Sequence, residues 1–115
     1  MQKQFTLGPA PAALLAQAHT QAAGGQYGPA AETVERALRI EPDNPLLWVE
    51  LGQLRLRDGD AAEADGIGRK ALALAAGDSQ VQVTAWRLIA ESLRARGRNP
   101  EAAEADRSAA ALVPQ

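Results

Sequence analysis

The sequence predicts an all-α fold, a right-handed solenoid of three stacked helix–turn–helix pairs, on three observations. The first is a repeat. Gly25, Gly59 and Gly97 each precede one alanine by five residues (Ala30, Ala64, Ala102) and a second by twelve (Ala37, Ala71, Ala109). Successive copies are offset by 34 and then 38 residues, and a period of this length marks an array of supersecondary units that bury a shared core by stacking. The second is composition: 46% of the 115 residues are apolar but only 3% aromatic, so alanine and leucine must do the packing. Alanine is the strongest helix former. The third is that no stretch alternates apolar and polar residues as a half-buried strand would.

Six helices follow in order. The first is expected over about 10–23, Ala- and Leu-rich, ending at Gly24-Gly25, a left-handed stop signal. The second, about 28–40, takes Pro29 in its first turn, where a missing N–H costs nothing, and turns Val34, Ala37 and Leu38 inward. Pro42 prevents its continuation. Asn44-Pro45 reads as an N-cap followed by an N1 proline, opening a third helix through Trp48, Leu51, Leu54 and Leu56 to Gly59. Asp60 with Glu63 resembles a capping box for the fourth, over 60–75. The fifth, about 79–96, carries Val81, Trp86, Ile89 and Leu93 inward, and Asn99-Pro100 is expected to cap the sixth as Asn44-Pro45 caps the third. Residues 1–9 show no periodic pattern and are expected to form a flexible lead-in to one domain over 10–113.

Composition also excludes function classes. Twelve basic against 14 acidic residues give a net charge of −2, which recommends neither nucleic acid nor an anionic membrane as partner. The absence of cysteine removes disulfides and thiolate metal sites. The long uncharged stretch from Phe5 to Ala31 is broken by prolines and glycines, so it is not a membrane span. Nothing at the N-terminus resembles a signal peptide. An envelope or periplasmic location therefore requires that a signal segment was removed before Met1, and the cytoplasm is expected otherwise.

The spacing of large and small residues resembles the tetratricopeptide repeat (TPR), a 34-residue helix-turn-helix unit with large residues at positions 4 and 7, small ones at 8, 20 and 27, and proline at 32. Copy one (11–44) supplies Leu14, Ala18, Ala30, Ala37 and Pro42. Copy two (45–78) supplies Trp48, Leu51, Gly52, Ala64 and Ala71. Copy three (79–113) supplies Trp86, Ile89, Ala90, Ala102 and Ala109, with Ser79–Gln82 as four extra residues at its start. Where the family favours tyrosine at position 11, the chain has Gln21, Arg55 and Leu93; at the aromatic position 24 it has Val34, Gly68 and Asp106. A lightly packed array is expected, with Trp48 and Trp86 wedged between repeats. In style the chain is loosely similar to small TPR proteins of the Gram-negative bacterial envelope.

The resemblance implies a protein-binding adaptor or scaffold without catalytic activity or cofactor, its partner held in the concave groove of the A helices. Carried over by position, copy one contributes Leu15 and His19 to that groove. Copy two contributes Leu46, Val49, Glu50, Gln53, Leu56 and Arg57, and copy three Arg87, Leu88, Glu91 and Arg94. The carboxylate clamp of chaperone-binding relatives is absent, because Leu15, His19, Glu50, Thr84 and Leu88 occupy its basic and amide places. An apolar floor (Leu15, Val49, Leu56, Leu88) rimmed by mixed charge suits an amphipathic helix or extended peptide.

Other motifs read as structure. His19, the single histidine, has no nucleophile or carboxylate partner within its helix and is expected to line the groove. Asp58-Gly59-Asp60 lacks the alternating oxygen ligands of a calcium loop. Gly66-Ile67-Gly68 falls inside a helix rather than at the loop-to-helix junction a phosphate loop needs. Arg94, Arg96 and Arg98 have acidic neighbours and read as a solvated end. Helix six leaves an Ala-rich face that no further capping helix covers, which raises self-association through that face as the alternative function.

Overall fold

A computed structural model of the chain describes residues 3–114. It contains α1 (Pro9–Ala23), α2 (Tyr27–Ile40), α3 (Pro45–Arg57), α4 (Ala61–Leu74), α5 (Ser79–Ala95) and α6 (Asn99–Ala111). There is no strand among the described residues. The helices pair as α1/α2, α3/α4 and α5/α6, and the pairs stack in chain order.

The glycine period is the period of the helix stops. Gly25, Gly59 and Gly97 adopt φ of 78°, 88° and 76°, a left-handed conformation that costs a residue with Cβ. One residue later the chain closes the same bond each time. The amides of Gln26, Asp60 and Arg98 donate to the carbonyls of Gln21, Arg55 and Leu93, each at 2.9 Å, which satisfies the last free carbonyls of α1, α3 and α5. The paired alanines are the crossing points. Ala30, Ala37, Ala64, Ala71 and Ala102 are 0% exposed, so the helices approach as closely as a methyl group allows.

The helix starts differ more. Asn44 accepts from the Leu46 amide at 3.0 Å, Asp60 from Glu63 at 3.1 Å and Asp78 from Val81 at 3.2 Å. The reciprocal arm of a capping box is missing at α4, since the Asp60 amide is already spent on the Arg55 carbonyl. The expectation that Asn99 caps α6 is corrected. Arg98 holds the cap position without a side-chain bond, and Asn99-Pro100 form the first helical turn.

The places where the family carries aromatic residues show how this chain compensates. Gln21 accepts from the Thr33 hydroxyl at 2.7 Å and ties α1 to α2. Arg55 reaches Glu35 of α2 at 3.2 Å and lies 3.5 Å from Glu63 of α4. Leu93 is core. Gly68 opens room for Leu88 and Ile89 of the next repeat, and Gly52 does the same for Leu88. Repeats two and three therefore interlock, α5 packing on α4 and also touching α3, whereas repeats one and two meet through α2 and α3 over a smaller surface. Trp48 and Trp86 are half-buried wedges rather than fully enclosed ones. Trp48 packs against the cores on both sides of α3 and donates its Nε1–H to the Pro42 carbonyl at 2.7 Å.

Residues 3–8, expected as a flexible lead-in, are instead fastened across the ends of the repeats. The Lys3 amide donates to the Gly77 carbonyl (2.9 Å) and the Phe5 amide to Asp78 Oδ2 (3.0 Å). Asn44 Nδ2 donates to the Thr6 carbonyl (2.8 Å), and the Gly8 amide to Glu41 Oε2 (2.9 Å). These six residues form a strap along the α2–α3 and α4–α5 turns. Its partners lie more than thirty residues away, so no local pattern announces it.

Candidate functional site

The three A helices, α1, α3 and α5, present one face to a shared depression. Helical spacing brings Leu46, Val49, Glu50 and Gln53 of α3 onto that face, because residues three, four and seven apart share one side of a helix. With Leu15 of α1, Val81 and Thr84 of α5 and Leu7 of the strap, they enclose a cavity of about 300 Å³. Its apolar wall is Leu7, Leu15, Leu46, Val49 and Val81; its polar rim is Glu50, Gln53, Gln80 and Thr84. A second recess of about 240 Å³ continues along α3, lined by His19, Ala22, Glu50, Gln53, Leu54 and Arg57. Glu50 and Gln53 line both, so the two recesses adjoin along α3 and are together called the furrow.

His19 has a carboxylate partner that its own helix could not supply. Its Nε2 lies 3.1 Å from Glu50 Oε2, bridging α1 and α3 over the furrow, and the imidazole remains 58% exposed. An exposed pair of this kind contributes little to stability. It does fix where charge sits, and no nucleophile joins it. Among the described residues no cluster of histidine and acidic side chains is arranged to hold a metal.

The remaining expected groove residues separate. Leu88 is corrected from floor to core: at 2% exposure it is inserted against Gly52 and Gly68, and a partner cannot reach it. Val49 is floor but nearly closed, at 6% exposure. Leu56 is half-buried and lines neither recess. Arg94 is paired with Asp106 of α6 and offers the groove no free charge. Glu91 is exposed outside the furrow. Arg87 lies on another depression of about 450 Å³, between the start of α5 and Leu112-Val113-Pro114. Gln80 and Thr84 line both this depression and the furrow, so the first turns of α5 form the ridge between them.

Two contributions were not foreseen. Gln80 and Val81 stand in the four-residue insertion, and the extra turn of α5 is what carries them to the furrow. Leu7 arrives through the strap. At the strap's anchor the Glu41 carboxyl is held below its ordinary pKa, first by the Asn44 amide and then by the Gly8 N–H, with slight burial opposing. Glu63 is pushed the other way, chiefly by its hydrogen bond with Asp60 and by burial, while Arg55 acts against the rise.

Comparisons with known proteins fit this geometry. A family model described as tetratricopeptide repeat matches residues 11–54. A search of curated proteins finds no significant match. Among solved structures, the globular C-terminal domain of P. aeruginosa LpoP is 36% identical and superposes with a TM-score of 0.88. The match covers 90% of this chain and 98% of that one. Among the described residues no helix is long and apolar enough to cross a membrane. The glycine–alanine period, the three stacked helix pairs and the likeness to the LpoP domain converge, and the chain belongs to the tetratricopeptide repeat family of protein-interaction modules.

Proposed function

We propose that this chain is a non-catalytic adaptor whose furrow between α1, α3 and α5 captures an apolar-anchored peptide or helix of a protein partner. The observation that carries the reading is the pair of recesses that adjoin at Glu50 and Gln53 along α3. An apolar wall from three different repeats lies beside a rim of Glu50, Gln53, Thr84, His19 and Arg57. Side chains of leucine size fit the pocket, and the mixed rim favours a partner with both signs of charge near its anchors. A helix laid along α3 would place anchors at i and i+4 against the two recesses.

Leu15 and Leu46 are the right probes, because both are half-buried while Val49 is nearly closed. Leu15→Asp with Leu46→Asp is expected to abolish co-purification of the native partner at unchanged far-UV circular dichroism. Undiminished capture by the folded double variant would remove the furrow as the binding surface.

Self-association is the second reading, favoured by Val113, 43% exposed beside half-buried Leu112 just after α6. A monomer by sedimentation at micromolar concentration removes it.

A further inference from the structure

The strap is held by groups that have a second task. Asn44 and Asp78 stand at equivalent places, 34 residues apart, each ahead of an A helix. Each caps its helix through one side-chain oxygen, Asn44 Oδ1 to Leu46 and Asp78 Oδ1 to Val81. The other terminal atom of each faces the strap: Asp78 Oδ2 takes the Phe5 N–H, and Asn44 Nδ2 gives to the Thr6 carbonyl. Glu41 takes the Gly8 N–H with Oε2 while its Oε1 accepts from Asn44 at 3.0 Å.

The hydrogen bonds that these three side chains make to the strap thus all reach its main chain. They select an extended backbone, not a sequence. Choice of side chain falls to Leu7, which enters the apolar wall with Leu15, Leu46 and Val49. Main-chain bonds for hold and a pocket for choice is the logic of extended-peptide recognition. Leu7 is only half-buried, and about 300 Å³ stays open beside it, so it underfills the place it occupies.

We propose that Glu41, Asn44 and Asp78 form a docking edge for an extended partner segment bearing an apolar anchor at least as large as leucine, and that residues 3–8 fill this edge in cis until such a segment displaces them. The tether gives the strap an effective concentration in the millimolar range, which sets the affinity a partner must exceed. The proposal concerns the edge and not the capture of a helix along α3, so either can fail without the other.

The test uses the full chain and its own segment as probe. A synthetic peptide of residues 1–9 is titrated to millimolar concentration into ¹⁵N-labelled wild type and Leu7→Asp. In the variant the Phe5 and Gly8 amides should lose protection, and the peptide should shift the Leu46 and Val81 resonances. The wild type should respond at least about tenfold more weakly, because the tethered strap competes. A peptide with phenylalanine at the anchor should bind the variant more tightly than the leucine peptide. Phe5→Pro, which removes the N–H that Asp78 accepts together with the ring that Lys3 covers, serves as the releasing variant should Leu7→Asp lose helicity. An unshifted variant spectrum, or equal response from both chains, overturns the proposal. So does a wild-type dimer that Leu7→Asp dissolves, which would assign the edge to a second copy's strap.

Discussion

A Cβ built on Gly52 would fall inside van der Waals contact of Leu88 Cδ2 and 3.2 Å from Ile67 Cγ2. Leu88 is 2% exposed and is pressed against Gly68 as well as Gly52. Gly66, two residues before Gly68 and so on the other side of α4, has nothing within 4 Å of a Cβ built there. Two glycines in helix interiors should therefore respond with opposite sign. Gly66→Ala should stabilise by about 0.5–1 kcal/mol through helix propensity. Gly52→Ala should destabilise by about 1–2 kcal/mol net, overpacking outweighing that gain. Urea unfolding of both variants checks the contrast. The sequence places Gly52 at a small-residue position and Gly68 where the family favours an aromatic residue, but only the fold shows that both make room for Leu88. That same insertion is why Leu88 failed as a groove residue: position within a repeat does not reveal how far a neighbouring repeat intrudes.

At the scale of elements, the stops are uniform and the starts are not. Three glycines close α1, α3 and α5 with one motif, so helix ends were legible from local chemistry. Starts depended on which residue reached the cap geometry, and the Asn-Pro pair met opposite fates at α3 and α6. Arg98 leaves the first amides of α6 without a side-chain acceptor. Its ion pair with Glu101 is long, at 3.9 Å, and half exposed, so little is lost by removing it. Arg98→Ser should give the Glu101 amide a side-chain acceptor, a one-armed cap like that of Asp60 on Glu63, and add about 1 kcal/mol, seen as a raised thermal midpoint.

Across the whole molecule, the strap links turns that belong to different repeats, and its hold depends on charge. The Glu41 carboxyl titrates lower folded than unfolded. Its contribution is therefore complete above the unfolded value, near pH 4.3, and disappears as pH falls through the lowered folded one. Acid should release the Gly8 amide first, giving a hydrogen-exchange or chemical-shift transition with a midpoint below about 4.3. Glu63 runs the opposite way, since its raised pKa makes the ionised form the less favourable one in the fold. Global stability would blend the two, and the Gly8 resonance separates them. The furrow's α1 and α3 residues were readable from repeat positions. Leu7, Gln80 and Val81 were not, because an insertion and a long-range strap brought them there.

Consecutive residues of the strap, Phe5 and Thr6, touch Asp78 and Asn44, the caps of neighbouring A helices. Neighbouring packed helices stand about 8–10 Å apart. Another repeat between those caps would roughly double that separation, beyond what two adjoining residues can bridge. The strap works as a ruler, set to one repeat, and duplication of a repeat between residues 44 and 78 would cost the chain its N-terminal fastening even though every helix could still fold.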